Sequence, residues 1–288
     1  MSLSILVNGI LIGSLFGLVG MGLSLLAGVV KLINLAQGNF LVGGAYLAIA
    51  FHEQLHWDPL LLIPMVAVVA FACAYCLQRY FLSSILKASA SSSLVVTFGL
   101  SLVLQAAYQE IFGANSRSLQ ASWCDTGITL LGVRLQSAYV VCFVVGLALT
   151  AGVWAVLRHT RQGSVVRAAA SDPATARLLG IDVDKVFAVT FAISAVLAAI
   201  AGVLTAVAQS VSPSGGFSLL LFSFAVMAIA GIGSVPGAFV AGMGVGLLQA
   251  VSVYFLGGGS QNLVVYIAFF AILIARPTGL LGRRPVAV

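Results

Sequence analysis

Of the 288 residues, 61% are hydrophobic and 7% are charged, far from the roughly 45–50% apolar and 25% charged of soluble domains. Water is thereby excluded as the main solvent of this chain. The net charge of +6 does not imply nucleic acid, because the basic residues are scattered over short loops at the ends of apolar runs, where lipid headgroups account for them.

The apolar runs predict nine hydrophobic segments, at about 3–30, 36–51, 59–78, 91–109, 138–157, 186–208, 218–231, 237–256 and 260–275. About 20 apolar residues cross a hydrocarbon core of roughly 30 Å, so most of these can span a bilayer; the second and seventh are short enough to be broken or re-entrant. The runs are continuous rather than alternating every second residue, which selects helices over a β-barrel. The expected fold is an all-α, polytopic transmembrane helix bundle of 8–9 spans.

The first segment carries no charge before Lys31 and is longer than the apolar core of a secretory signal, so it is expected to stay as a span. Gly9, Gly13 and Gly17 lie on one of its faces, a spacing that lets helix backbones approach closely. Ala238, Gly242 and Gly246 repeat that spacing in the eighth segment.

Between the first two segments, Asn34, Gln37 and Asn39 surround Gly38. Polar groups at such a break need partners or water, and transporters break helices where the freed backbone lines a cavity. Gly231-Ile-Gly-Ser-Val-Pro-Gly237 is a second break in the other half, and the pair points to an inverted repeat around a solute path. Two ordinary tight turns are the alternative. The candidate path residues are Asn34, Gln37, Gly38, Asn39, Gln105, Gln209, Gly231, Gly233, Pro236 and Gly237. Uncharged amides at Asn8, Gln105, Gln209 and Gln249 serve equally well as bonds between helices.

The longest connection on the side expected to be cytoplasmic is Arg158 to Lys185. Within it Asp172 suits an N-cap, Pro173 the first helical position and Gly180 the residue just past the end, predicting a helix of about seven residues. Leu178, Leu179 and Ile181 on or beside it are apolar outside the membrane, a patch that suits a partner surface or lipid headgroups.

If the nine segments alternate with the N-terminus outside, Lys31, Arg79, Lys87, Arg158, Arg161, Arg167, Arg177, Lys185, Arg276, Arg283 and Arg284 face the cytoplasm, and only Arg117 and Arg134 lie outside. Glu53, Asp58, Glu110 and Asp125 then fall on the external side, and the C-terminus is cytoplasmic.

No Asp, Glu, Lys, Arg or His sits well inside a predicted span, which argues against proton or sodium coupling. There is no G-x-x-x-x-G-K-[ST] phosphate loop, so ATP, if it drives the protein, is hydrolysed by another chain. H-E-x-x-H and G-x-S-x-G are also absent; His52, His56 and His159 lie in loops. Cys73 and Cys76 fall inside an apolar segment and read as packing residues, as does Cys142; Cys124 stands alone in a loop. No enzyme, metal site or bound cofactor is expected.

Three stretches in this order and spacing resemble the permease family of branched-chain amino acid ABC importers, of the LivH-like kind: Val29-Val-Lys-Leu-Ile-Asn-Leu-Ala-Gln-Gly-Asn-Phe40, Arg167-Ala-Ala-Ala-Ser-Asp-Pro-Ala-Thr-Ala-Arg-Leu-Leu-Gly-Ile181 and Gly231-Ile-Gly-Ser-Val-Pro-Gly-Ala238. The resemblance runs along almost the whole chain and implies a single transmembrane permease domain, residues 1–288, of the bacterial inner membrane. Its implied partners are a second permease of LivM-like kind, two cytoplasmic ATPases that bind ATP and Mg, and an extracytoplasmic solute-binding protein. A coupling segment at about 164–182 would seat Arg167, Asp172, Pro173, Arg177, Leu178, Leu179, Gly180 and Ile181 in a groove of an ATPase. Where the family often reads Asn-Phe-Ala-His-Gly-Glu, this chain has Leu35, Gln37 and Asn39 for the Phe, His and Glu. Losing an acidic group there removes a partner for a substrate ammonium, so the expected solutes include related amino acids, urea and short amides beside branched-chain amino acids. A passive channel for small neutral solutes is the competing class, separated from an importer by flux without nucleotide.

Overall fold

The computed structural model describes residues 3–83, 90–121, 123, 127–130, 133–276 and 279–280. Lys87, Cys124, Asp125, Arg283 and Arg284 lie outside them. Each of the nine apolar segments forms a helix: α1 (Leu3–Val29), α2 (Gln37–Leu55), α3 (Pro59–Cys76), α4 (Ala90–Phe112), α5 (Ser137–His159), α8 (Val183–Ala208), α9 (Gly216–Ala230), α10 (Val235–Leu256) and α11 (Gln261–Ala275). Two more, α6 (Arg161–Ser171) and α7 (Pro173–Leu178), occupy the long connection, and a β-hairpin pairs β1 (Gly127–Leu130) with β2 (Val133–Gln136). The hairpin and α6 were not anticipated. Neither has an apolar run long enough to register as a segment.

Six helices among the described residues are long and apolar enough to cross a membrane: α1, α3 with its extension to Leu82, α4, α5, α8 and α10. The expected eight to nine spans thus reduce, by length and composition, to six, together with the polytopic bundle itself. At 15 residues each, α9 and α11 reach only about 22 Å. In α2, Gln37, Asn39, His52 and Glu53 break the apolar character.

Burial sorts the helices into centre and rim. The apolar stretches of α1 and α8 are 83% and 72% buried, those of α3, α4 and α5 only 11–17%. A helix that is apolar all round and enclosed on all sides belongs at the centre. Around it α1 packs on α8, α9 and α10, while α8 packs on α1, α2 and α3.

The two small-residue stripes meet. Gly9 faces Gly246 and Ala250, Gly13 faces Gly242 and Met243, and Gly17 faces Phe239 and Gly242. A Cβ on Gly13 would come within 2.6 Å of the Gly242 carbonyl oxygen. Backbone-to-backbone contact of this kind supplies the van der Waals attraction that joins helices where no water is expelled.

Contacts at the helix ends also fix the direction in which the helices run. At one end lie the close of α1 at Gly28 against Gly233, the close of α3 with Arg79 3.7 Å from Asp182, and the return of Leu280, whose N–H donates to the Ile229 carbonyl at 2.8 Å. Lys31, Arg158, Arg161, Arg167, Arg177, Lys185 and Arg276 gather at this basic end. At the other, Glu53 pairs with Arg117 at 3.1 Å, Asp58 accepts from the Trp123 indole at 2.8 Å, Ser137 donates to the Trp123 carbonyl, and Arg117 bridges Val211. Tyr46, wholly buried, ties this end with its hydroxyl on the carbonyls of Asn115 and Val211, at 3.2 and 3.0 Å. Helices α1 and α3 therefore run toward the basic end and α2 and α4 away from it. Helices α8 and α10 run away from it, α9 and α11 toward it.

Candidate functional site

The first candidate region is a crossing at mid-depth. The chain leaves α1 at Lys31, whose φ of 56° ends the helix, re-enters the bundle through residues 32–36, and starts α2 beside the start of α9. A methyl group on Gly38 would overlap the Gly216 carbonyl oxygen, and one on Gly216 would overlap the Asn39 amide oxygen. The N-terminal turns of two helices, each the positive end of a macrodipole, thus abut within the protein.

The polar residues of this crossing are enclosed: Asn34 and Gln37 are 0% exposed and Asn39 is 1% exposed. Asn34 accepts from the Ala36 N–H at 3.0 Å and donates to the Gln37 amide oxygen at 3.4 Å. Gln37 donates to the Ser194 carbonyl at 3.1 Å, and the Ser194 hydroxyl donates to the Gly22 carbonyl at 2.6 Å. Asn39 donates to the carbonyl and hydroxyl of Ser101, at 2.8 and 2.6 Å, while its own oxygen has no partner. These amides bind α2 to α8 and α4, and Ser194 carries the link on to α1. The exchange of Glu for Asn at position 39, read from the sequence as bearing on the solute, falls on a side chain held between α4 and α9.

The remaining candidate path residues lie elsewhere. Gln105 is half-buried on α4, and Gln209 is exposed at the far end. Gly231 and Gly233 form the α9–α10 turn at the basic end, with φ of 95° and 84° and Gly233 resting on Gly28, and Pro236 and Gly237 lie in the first turn of α10. The two glycine breaks paired in the sequence reading are therefore not neighbours; the break after α1 meets the one at residues 209–215 before α9. Ser101 and Ser194, which receive the crossing's amides, escaped the sequence reading because a single hydroxyl in an apolar helix looks like any small packing residue.

The second region is the protrusion at the basic end. Thr160 caps α6 by accepting from the Gly163 N–H at 3.0 Å. Asp172 caps α7, accepting from the N–H groups of Ala174 and Thr175 at 2.9 and 3.3 Å and from the Thr175 hydroxyl. Pro173 follows at the first helical position, where no N–H is needed. Gly180, with φ of 82°, closes the helix in a Schellman motif: its N–H donates to the Arg177 carbonyl and that of Ile181 to the Ala176 carbonyl, at 3.0 and 3.1 Å. Ile181 turns inward onto Ala169, Ala176 and Val183, unlike the exposed residue expected. Leu178 and Leu179 remain 88% and 75% exposed.

Arg167, exposed, donates to the Ser164 hydroxyl at 3.1 Å. Arg177 reaches Asp184 at 3.3 Å, Arg79 reaches Asp182, and Asp182 caps the first turn of α8 by accepting from the Lys185 N–H at 2.9 Å. Arg79 stands on a π-helical turn, Leu77–Leu82, that extends α3. These pairs and the cap tie α7 to the start of α8, a central helix.

The Asp172 carboxyl is held below its ordinary value by the Thr175 hydroxyl first, then by the amides of Thr175 and Ala174, with Lys31 adding to it. A depressed folded value means the cap's contribution is complete above the unfolded value and is lost as pH falls through the folded one. Hydrogen exchange at the Ala174 and Thr175 amides, measured relative to the unstructured peptide at the same pH, should therefore stay slow through neutral and mildly acidic pH and quicken only in strong acid. In Asp172→Ala it should be fast throughout; unchanged protection in that variant would remove the cap from the account.

Among the described residues no three His, Cys, Asp or Glu side chains gather to hold a metal. Residues 5–275 match the family described as branched-chain amino acid transport system, permease component. The chain belongs to that family. A permease component is a transport subunit rather than an enzyme. The chain is 30% identical to the high-affinity branched-chain amino acid transport system permease protein LivH of Escherichia coli, over 97% of this chain and 95% of that one. It is 29% identical to the permease protein BraD of Pseudomonas aeruginosa, over 98% and 96%. A protein of Methanocaldococcus jannaschii described as a probable LivH permease is 28% identical over 96% and 92%. No solved structure matches.

Proposed function

We propose that this chain is a permease subunit of an ABC importer for branched-chain or related amino acids, carrying the solute inward while separate ATPase subunits, with their ATP and Mg, drive the change. The observation that carries this reading is α7, capped at both ends, tied to the central helix, and presenting two exposed leucines to solvent at the basic end. Positive residues favour the cytoplasm, so α7 faces the ATPases, the N-terminus lies outside and the C-terminus inside, in a bacterial inner membrane. Arg167 to Ile181 make up the coupling segment, with Leu178 and Leu179 as its contact surface, within one permease domain spanning the whole chain.

An inverted repeat is supported by matched packing. The order α1–α4 corresponds to α8–α11 running the opposite way: α1 on α9 and α10 mirrors α8 on α2 and α3, α9 on α10 mirrors α2 on α3, and α9 on α11 mirrors α2 on α4. With α5 between the halves this counts nine membrane helices, of which α2 and α9 begin at the crossing. The solute path then runs beside the crossing, along the face completed by a second, LivM-like permease, and an extracytoplasmic binding protein docks at the end that holds Glu53, Asp58 and Arg117.

ATP binding in such a complex stabilises one arrangement of the bundle over another. The test is reconstitution of the complex in vesicles with radiolabelled leucine, urea or a short amide outside. Uptake that needs both nucleotide and binding protein supports the importer, and the preferred label assigns its solute. Flux through this chain alone, without nucleotide, would overturn the reading in favour of a passive channel.

A further inference from the structure

A groove runs between α5 and α8 on the rim of the bundle. It encloses about 300 Å³ and is walled by Ala148, Leu149, Gly152, Val156 and Ile193, with Leu25 behind. It exists because α5 presents Ala148 and Gly152 where a larger residue would close the gap; a Cβ on Gly152 would meet nothing within 4 Å, leaving room for the larger groups beyond it. From Ala148 to Val156 the groove covers about 12 Å of helix, close to one leaflet of a hydrocarbon core roughly 30 Å thick. An apolar groove at this depth is filled by whatever apolar group is at hand, because an unfilled one forfeits its contacts.

A second cavity of about 860 Å³ adjoins it at the basic end and shares Leu25, Leu157 and Val166 as lining. Its character is different: Arg158, Arg167 and Ser171 line it beside Trp154. The Arg158 guanidinium stacks 5.2 Å from the centre of the Trp154 ring, and a tryptophan at the end of a span marks headgroup depth. A leaflet-length apolar groove continuous with a cationic cavity at headgroup level has the shape and charge of one kind of ligand.

We propose that these two cavities form a binding site for an anionic phospholipid, with an acyl chain in the α5–α8 groove and the phosphate on Arg158 and Arg167. Two arginines at the surface favour an anionic over a zwitterionic headgroup, and the groove favours a lipid over free phosphate. Its occupant lies against α6, the helix that leads into α7. The site rests on the membrane character of the bundle and not on the transport reading.

The test uses the full chain, with whatever subunits it retains in mild detergent, stripped of lipid and returned to phosphatidylcholine vesicles containing a minority of phosphatidylglycerol. Retained lipid is then identified by mass spectrometry after re-extraction. Wild type should be enriched in phosphatidylglycerol by about fivefold per arginine engaged. Arg158→Gln should lose most of that enrichment while still retaining lipid, and Gly152→Trp, which fills the groove, should retain little of either lipid. Gly152→Leu serves if the tryptophan variant does not elute as a single folded species. Lipid retained in bulk proportion by wild type, undiminished retention in the groove-filled variants, or a partner subunit occupying both cavities would each overturn the proposal. Enrichment abolished equally by inorganic phosphate would overturn it in favour of a plain anion site.

Discussion

Replacing Leu178 and Leu179 together by aspartate is expected to lower ATP-driven uptake by about a hundredfold or more while ATP hydrolysis by the complex continues. The two side chains are 88% and 75% exposed in the isolated chain, so folding does not depend on them and insertion should be normal. Burying each against a partner is worth about 1.5–3 kcal/mol, and each 1.4 kcal/mol is tenfold in an equilibrium. Charges in their place would also be desolvated on docking. Uptake in vesicles and phosphate release, measured on the same preparation, separate uncoupling from loss of assembly. Unimpaired uptake would take α7 out of the mechanism.

Gly38→Ala is expected to be among the most damaging single methyl groups at the described glycines. It would overlap the carbonyl oxygen of Gly216, and what must yield is backbone at the start of two helices rather than the tip of a flexible side chain. Overpacking costs about 1–3 kcal/mol and sometimes more, and here the network from Asn34 through Gln37 to Ser194 resists the shift. Gly99 on α4 is the matched control, because an added methyl there meets nothing within 4 Å and alanine improves a helix interior by about 0.5–1 kcal/mol. Thermal unfolding in detergent should show a lower Tm or no folded yield for Gly38→Ala, and an unchanged or higher Tm for Gly99→Ala. Equal behaviour of the two would mean that the crossing is not a rigid contact.

The protrusion was the most legible part of the candidate site. Asp172, Pro173 and Gly180 delimit α7 by rules that act over four residues, and the helix Pro173–Leu178 lies within those marks. Ile181 shows where that reasoning ends: its inward turn depends on Ala169 and Val183, which belong to other elements. The crossing was half legible. Gly38 among three amides marked a break, but its mate at Gly216 carries only the ordinary appearance of a glycine after a loop.

By itself the sequence determined the solvent, the helical nature and rough limits of nine apolar segments, the concentration of basic residues in one set of loops, and the caps of α7. These are local quantities, set by runs of hydropathy and by side chains bonding their own backbone. Tertiary structure alone decided that the glycine stripes of α1 and α10 face each other, that the break after α1 meets the one before α9, and that Asn34, Gln37 and Asn39 hold helices together. An amide in an apolar helix has the same local signature whether it faces a path or a neighbouring carbonyl, and only the packing of residues far apart in the chain, 62 positions for Asn39 and Ser101 and 157 for Gln37 and Ser194, distinguishes the two.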